Sequence, residues 1–145
     1  MAEAPYPLAD DHYAITENFS IDLRGKTFYR RMDGEDLVLW STEAPRITIF
    51  ILAYDYPDAS SVTQYAAETL LDEASRPALL RFDEEVNSLR FTGYYLIDTD
   101  EDGKKTPSHQ AHVWGKSGFL MMAFYFDDLE DLDTVRSLWR KISEH

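Results

Sequence analysis

The sequence predicts an α+β fold, an antiparallel β-sheet with helices packed on it. Strand-like segments occur in two groups joined by short polar turns, and a helical segment follows each group. Strands joined by hairpin turns pair antiparallel, and helices that follow them pack on the sheet. We expect residues 1–12, which are mostly polar and contain two prolines, to form a flexible arm. Residues 13–145 then form a single α+β domain.

Four strands are predicted before the first helix. The last of them is rich in β-branched and aromatic residues, which suit a pleated surface. An Asp-Gly pair at Asp33-Gly34 indicates a hairpin turn. The predicted strands are 19–23, 27–31, 36–41 and 46–54.

The first helix is predicted at 60–74. Ser61 and Gln64 have the spacing of a capping box, in which two side chains satisfy backbone groups at a helix start. Apolar residues follow at helical spacing, and Pro77 ends the element because the residue before a proline avoids the helical region.

The second group of strands begins after this proline. Residues 79–85 are compatible with an irregular connection or a short strand, and strands are predicted at 86–97, 109–114 and 119–126. The last of these is apolar throughout, a pattern typical of a central strand buried on both faces.

The second helix is predicted at 131–143. Acidic residues, among them Asp131 and Asp133, stand at its start, where the helix dipole and capping favour negative charge. Its apolar side chains recur at spacings of three and four and define one buried stripe: Leu132, Val135, Leu138, Trp139 and Ile142.

Composition excludes several classes of function. The net charge is −13, which disfavours nucleic acid and anionic membranes as partners. The chain has no cysteine, so disulfides and thiolate metal sites are absent. Residues 1–7 lack the basic and apolar regions of a signal peptide, and we expect a cytoplasmic protein.

One segment has the pattern of a metal site. Asp98, Asp100 and Asp102, followed by Gly103, match the start of a calcium-binding loop, in which alternating carboxylates converge on the ion. The eighth and twelfth positions are Lys105 and His109 instead of an apolar residue and a bidentate Glu. We therefore expect a solvated hairpin loop without bound metal, and no cofactor.

No catalytic motif is evident. His109 and His112 are three apart, so in a strand their side chains point to opposite faces. Ser108 precedes His109 directly, and no Gly-x-Ser-x-Gly elbow or glycine-rich phosphate loop occurs. We expect a protein without enzymatic activity.

The order of elements resembles the PsbP-like group, which includes the Mog and DcrB-like proteins. The strand Phe19-Ser20-Ile21-Asp22-Leu23 is similar to the first strand of that group, and Gly93 occupies the position of a glycine in its middle strand. The strand at 118–126 and the helix at 131–142 are similar to its C-terminal part. The resemblance implies a PsbP-like α/β sandwich and a non-enzymatic role as an adaptor, assembly subunit or chaperone for secreted effectors.

We expect a protein-binding module, an adaptor or a secretion-effector chaperone. Its partner would be a protein that is basic or presents an amphipathic helix, and the sequence does not indicate the oligomeric state. Two alternatives remain: an immunity protein that neutralises a basic toxin, and a small-ligand-binding protein or enzyme with an aromatic pocket. The expected partner-binding residues are aromatic: Phe28, Tyr54, Tyr56 and Tyr94.

Overall fold

The computed structural model describes residues 6–58 and 61–145. The chain forms a mainly antiparallel β structure with α-helices packed on it, as the sequence predicts. The strands are β1 (His12–Ala14), β2 (Phe19–Asp22), β3 (Tyr29–Asp33), β4 (Asp36–Trp40), β5 (Ile47–Asp55), β6 (Leu80–Val86), β7 (Leu89–Thr99), β8 (Lys105–Trp114), β9 (Gly118–Phe126) and β10 (Ile142–Glu144). The helices are α1 (Ser61–Ala74) and α2 (Leu132–Trp139), and a short 3-10 turn (Leu129–Asp131) leads into α2.

The larger sheet has seven strands in the order β3-β4-β5-β9-β8-β7-β6, and each neighbouring pair is antiparallel. β9 therefore lies at its centre, between β5 and β8. Side chains alternate across a strand, so each strand contributes to both faces of the sheet. We call the two surfaces the α2 face and the α1 face, after the helix that covers each.

The α2 face carries the main core. Its central side chains are fully or almost fully buried, and they include Ile49, Phe124 and Val113 on three neighbouring strands. α2 covers this face together with a smaller sheet of order β1-β2-β10, which contributes Ile21 and Ile142.

The C-terminal helix is shorter than the predicted 131–143. α2 ends at Trp139, and the chain then enters β10, where Ile142 pairs with Ile21 of β2. The stripe is buried as predicted, but Ile142 reaches the core from a strand. The Asp131 carboxylate precedes α2 but accepts no capping hydrogen bond, because Asp131 is already part of the 3-10 turn and has helical backbone angles.

The structure has a hairpin of two strands, β6 and β7, where the sequence analysis predicted one strand at 86–97. The predicted strand at 86–97 is interrupted by Asn87 and Ser88, which have φ values of 52° and 68°. Two consecutive residues with positive φ form the hairpin turn that matches strand twist, and β6 and β7 pair through it. The ambiguous segment 79–85 is therefore mostly strand β6.

The N-terminal segment is not the free arm that we expected, as far as it is described. The Ala9 amide donates to the Phe28 carbonyl at 2.8 Å, and the Arg30 amide donates to the Pro7 carbonyl at 3.0 Å. These bonds lie against the end of β3, an edge strand whose polar backbone groups need partners. Residues 6–12 therefore belong to the folded domain; residues 1–5 lie outside the described part.

The α1 face is covered only in part. α1 occupies the predicted position and buries Ala66 and Glu73. β9 is buried on the α2 face, but on this face Met121 is 38% exposed and Tyr125 is half-buried. The prediction that 119–126 is buried on both faces is therefore wrong, because one helix does not span the sheet.

Trp139 holds α2 against the sheet. Its side chain is fully buried, with its ring 4.5 Å from that of His109 and 5.3 Å from that of Phe91. The guanidinium of Arg140 donates two hydrogen bonds to Glu84 of β6, at 2.6 and 2.9 Å, and fixes the end of α2.

Trp139→Ala should lower the free energy of unfolding by about 3–5 kcal/mol, the usual range for truncating a buried large aromatic side chain. Asp133→Ala, in the exposed first turn of the same helix, should cost only about 0.3–1 kcal/mol through the helix dipole. Urea denaturation of both variants measures the difference. A Trp139→Ala protein as stable as the parent would show that α2 is not anchored here.

His109 should make stability depend on pH. Burial, with a smaller effect of the Arg136 charge, lowers the pKa of His109 from 6.5 to about 3. The unfolded chain then binds this proton between those pH values while the folded chain does not, so stability falls as pH drops below about 6.5. Urea midpoints of His109→Phe should fall less steeply from pH 7 to pH 4 than those of the parent. His12→Ala, at an exposed position, should keep the parental slope; equal slopes for all three proteins would contradict this assignment.

Candidate functional site

The uncovered part of the α1 face contains an open groove. It lies between the connection that leaves α1 and three strands of the large sheet, and its volume is about 720 Å³. The residues that line it are Arg76, Pro77, Ala78, Leu79, Tyr94, Leu96, Ile97, Asp98, Gln110 and Tyr125. We call this surface the groove.

The walls of the groove are apolar and accessible. Leu79 is 62% exposed, and Leu96 and Tyr125 beside it on the α1 face are half-buried. Ile97 follows Leu96 in β7, so its side chain, 42% exposed, points to the α2 face like that of Tyr95. Fully burying a leucine or isoleucine side chain is worth about 1.5–3 kcal/mol. Burial of these side chains by a binding partner would therefore be favourable.

Polar groups of the groove are held in place. The Gln110 amide donates to the hydroxyl of the fully buried Ser108 at 2.6 Å, which fixes it at the floor. Arg76 stands at the rim, and its guanidinium donates to Asp72 at 3.0 Å. The Tyr94 hydroxyl and the Asp72 carboxylate beside it raise the pKa of Arg76, so this side chain stays charged.

A second depression adjoins the groove beneath α1, with a volume of about 350 Å³. We call it the α1 cavity. It shares Arg76, Tyr94 and Gln110 with the groove. At its floor, Nδ1 of His112 lies 3.2 Å from Oε1 of Glu73, without hydrogen-bond geometry, and both residues are 7% exposed.

An aromatic cluster fills the space beneath the N-terminal half of α1. The ring of Phe119 lies 5.1 Å from that of Tyr54 and 4.7 Å from that of Trp114. Tyr56 and Tyr65 pack on the same ring at 5.8 and 5.9 Å. Burial, with a smaller effect of the Glu144 charge, raises the pKa of Tyr56 to about 12. This cluster attaches α1 to the sheet.

The four predicted partner-binding aromatics lie in different places. Phe28 is 1% exposed, and its side chain belongs to the core on the α2 face, so its prediction as a binding residue is wrong. Tyr54 is 40% exposed and Tyr56 half-buried, both in the aromatic cluster away from the groove. Tyr94 lines the groove but is only 5% exposed.

The tryptophans do not form a common pocket. Trp139 lies in the core on the α2 face, whereas Trp114 lies on the α1 face and donates its indole N–H to Thr92 at 2.9 Å. Trp40 is on β4, where its ring stacks on that of Tyr29 at 5.8 Å. The aromatic pocket expected of a small-ligand-binding protein or enzyme is therefore not built from these three residues.

The two histidines of β8 face opposite sides, as their spacing predicts. His109 packs against Trp139 on the α2 face, and His112 stacks on Trp114 on the α1 face, with ring centroids 5.0 Å apart. Ser108 and His109 are likewise on opposite faces because they are adjacent in a strand. They do not form the hydroxyl–imidazole pair of a hydrolase.

The acidic loop connects β7 to β8 as a hairpin, as predicted. The Asp100 side chain accepts backbone hydrogen bonds from Asp102 at 2.9 Å and Lys104 at 2.8 Å, so it serves the turn. Asp98, Asp100 and Asp102 are exposed. Within residues 6–58 and 61–145, no group of three or more His, Asp or Glu side chains is arranged to hold a metal ion.

The loop contributes charge to the groove. Asp98 lines one end of the groove, and Asp100, Glu101 and Asp102 continue from it into solvent. The adjoining α1 cavity is lined by the acids Glu68, Asp72 and Glu73. An apolar groove with acids at both ends suits a partner that carries apolar and basic side chains together.

Sequence reasoning missed the residues that make the groove accessible. Leu79 stands immediately before β6, where periodicity does not tell the exposed side from the buried one. One signal for an open surface was available. The sequence predicts a single helix between the two groups of strands, and one helix is too small to cover a whole face of a seven-stranded sheet.

Asp100→Ala should destabilise the hairpin by about 0.5–2 kcal/mol, because two backbone donors lose their acceptor. Asp100→Asn keeps an oxygen acceptor and should lie close to the parent. Urea denaturation compares the three proteins, and calorimetry with millimolar calcium should give no heat of specific binding. Micromolar calcium affinity that Asp100→Ala abolishes would instead establish the loop as a calcium site.

Comparisons with known proteins give a fold but no family. No family model matches the chain, and no curated protein matches it. A crystal structure from Bacteroides thetaiotaomicron VPI-5482, solved at 1.50 Å, matches with a TM-score of 0.69 and 12% sequence identity. The match covers 88% of this chain and 45% of that chain, so this chain spans less than half of the length of its structural neighbour. Among the described residues, neither helix has the length and apolar character needed to cross a membrane.

Proposed function

We propose that this chain is a protein-binding module, an adaptor or a chaperone for a secreted effector, without catalytic activity of its own. The groove is the proposed binding surface. The observation that carries the proposal is the accessible apolar wall of Leu79 and Leu96 on the open part of the α1 face. Exposed apolar surface bordered by polar residues is typical of protein interaction sites.

The dimensions of the groove favour a side of a helix or an extended segment. A volume of about 720 Å³ accommodates several apolar side chains. The groove is open along one side, since its floor is a sheet and its opposite wall is the short connection at 76–79. An amphipathic helix that lays its apolar face into such a groove is a recurring mode of peptide recognition.

Charge selects among partners. The net charge of −13 and the acids at both ends of the groove attract a basic segment and repel an acidic one. The same charge suits the alternative function, an immunity protein that inhibits a basic toxin. The inhibitor would bind mainly through acids, whereas the module that we propose binds mainly through apolar burial. The two hypotheses therefore predict that different residues determine the affinity for the partner.

The test begins with site-specific photo-crosslinking of the whole chain in its native cell. A photoreactive amino acid at Leu79 should capture a partner, and the same group at Leu129 should not. Leu129 is a matched control because it is also an exposed leucine, at 56%, but lies on the 3-10 turn before α2. The captured protein is identified by mass spectrometry and then produced in pure form.

Calorimetry with the purified partner then decides between the hypotheses. Leu79→Asp should raise Kd by at least about tenfold, because lost apolar burial of about 1.4 kcal/mol corresponds to that factor. Leu129→Asp should leave Kd unchanged. If instead Leu79→Asp binds normally and replacing Asp98 and Asp102 by Asn abolishes binding, the protein is an acidic inhibitor and the groove proposal is wrong.

A further inference from the structure

We propose that the free edge of β6 pairs antiparallel with β6 of a second copy of this chain. The two large sheets then form one continuous sheet, with a two-fold axis at the middle of β6. The contact uses β6 and not the residues that line the groove, so it does not depend on the proposed function. A strand at the edge of a sheet presents a row of unpaired backbone groups, which is a template for pairing with another chain.

The two edges of the large sheet differ in what covers them. β3 forms one edge, and the N-terminal segment covers its start through backbone hydrogen bonds of Pro7 and Ala9. β6 forms the other edge, and within residues 6–58 and 61–145 its backbone pairs with β7 alone. The chain therefore protects one edge with its own segment and leaves the other edge open.

The turn between β6 and β7 determines which backbone groups of β6 are free. Val86 and Leu89 flank a turn of two residues, so they form a hydrogen-bonded pair. Hydrogen-bonded and non-hydrogen-bonded pairs alternate along an antiparallel ladder. The N–H and C=O groups of Arg81, Asp83 and Glu85 therefore point away from β7, towards a strand added at the edge.

The helices on both faces leave this edge accessible. On the α2 face, Trp139 packs against Phe91 of β7 and His109 of β8. On the α1 face, Glu73 lies against His112 of β8. Both helices are therefore anchored one or two strands inside the edge. The side chains of β6 are half-buried or exposed along its whole length, as expected of a strand with an open side.

The charges at this edge are paired, although the whole chain carries a net charge of −13. The guanidinium of Arg90 donates to Asp83 at 3.0 and 2.8 Å. That of Arg140 donates to Glu84 at 2.6 and 2.9 Å. Repulsion between two copies of an acidic protein is weakest where the acids already have arginine partners. The β6 edge is such a place, so the charges there permit a second copy to approach.

β6 is complementary to itself when two copies run antiparallel about an axis at Asp83. Leu80 then lies opposite Val86 of the second copy, and this apolar pair occurs twice. Arg81 lies opposite Glu85, and this pair of opposite charges also occurs twice. Apolar and oppositely charged cross-strand pairs stabilise a sheet. The same register brings the outward backbone groups of the two strands opposite one another, so they complete a hydrogen-bonded ladder.

Two side chains in this register also have contacts within their own copy. The Arg81 guanidinium donates to two carbonyls at the end of α1. A guanidinium has more N–H donors than these bonds use, so Arg81 retains donors for Glu85 of the second copy. Asp83 meets Asp83 of the second copy at the axis, where Arg90 of each copy balances the charge.

Analytical ultracentrifugation of the whole chain measures the association. One strand pair is smaller than a standard interface of about 800 Å² per partner, so we expect a micromolar Kd for a dimer in which the mass of 16.8 kDa doubles. Glu85→Arg places like charges opposite each other at Arg81 and should raise this Kd at least about tenfold. Glu130→Arg makes the same change of charge on the exposed 3-10 turn and should leave Kd unchanged.

Circular dichroism shows that the variants are folded before their masses are compared. A parent chain that remains monomeric at millimolar concentration would overturn the proposal. A folded Glu85→Arg protein that dimerises as tightly as the parent would overturn it as well.

Cysteine variants test the register directly. The chain has no cysteine, so a single introduced thiol can form a disulfide only with another copy. At the axis, Asp83→Cys brings two thiols together on residues whose Cα atoms are about 5.5 Å apart, a separation that suits a disulfide. Glu85→Cys leaves the thiols four residues apart along the strands, about 13 Å, which is too far. Under mild oxidation, Asp83→Cys should therefore give a covalent dimer and Glu85→Cys should not. Equal cross-linking of the two variants, or none with Asp83→Cys, would contradict the pairing that we propose.

Discussion

Coverage of the large sheet determines the rest of the structure. Seven strands spaced by about 4.8 Å extend across roughly 29 Å, and both faces of such a sheet are apolar at the centre. The α2 face is closed by α2 and a three-stranded sheet together. The α1 face has one helix of 14 residues, about 21 Å long and 10 Å wide. One helix leaves part of that face open, and the open part is the groove.

Attachment of α1 differs at its two ends. Near its start, the rings of Tyr54, Tyr56 and Tyr65 pack around Phe119, although Tyr54 and Tyr65 stay 40% and 36% exposed. Near its end the contact with the sheet is polar, since Oε1 of Glu73 lies 3.2 Å from Nδ1 of His112 and both residues are 7% exposed. The groove opens beyond this second end, where the helix stops and the strands of the sheet continue.

The alternation of side chains along the strands and their periodicity along the helices could be predicted from the sequence. The spacing of His109 and His112 placed them on opposite faces, and the stripe ending in Trp139 identified the buried side of the last helix. Short elements could not be predicted in this way. β10 has three residues and depends on its pairing with β2, more than one hundred residues away. Such a contact has no local periodicity to reveal it.

The turn at Asn87-Ser88 was missed because it lacks the glycine that usually marks a hairpin with positive φ. Phe28 was misplaced for a different reason. It was placed in the predicted strand 27–31, but β3 begins at Tyr29, so the alternation of that strand does not apply to it and its burial is determined by tertiary contacts. The groove depends equally on tertiary arrangement, since β7, β8 and β9 must be adjacent before their side chains form its floor.

In the proposed module, electrostatics and apolar surface would have different roles at the groove. Acids exposed around the hairpin loop are screened by salt and would act mainly on the rate and selectivity of encounter. Leu79 and Leu96 would act after encounter, through burial that salt does not screen. Under this proposal the fold places general attraction at the exposed loop and affinity along the apolar wall of the same surface.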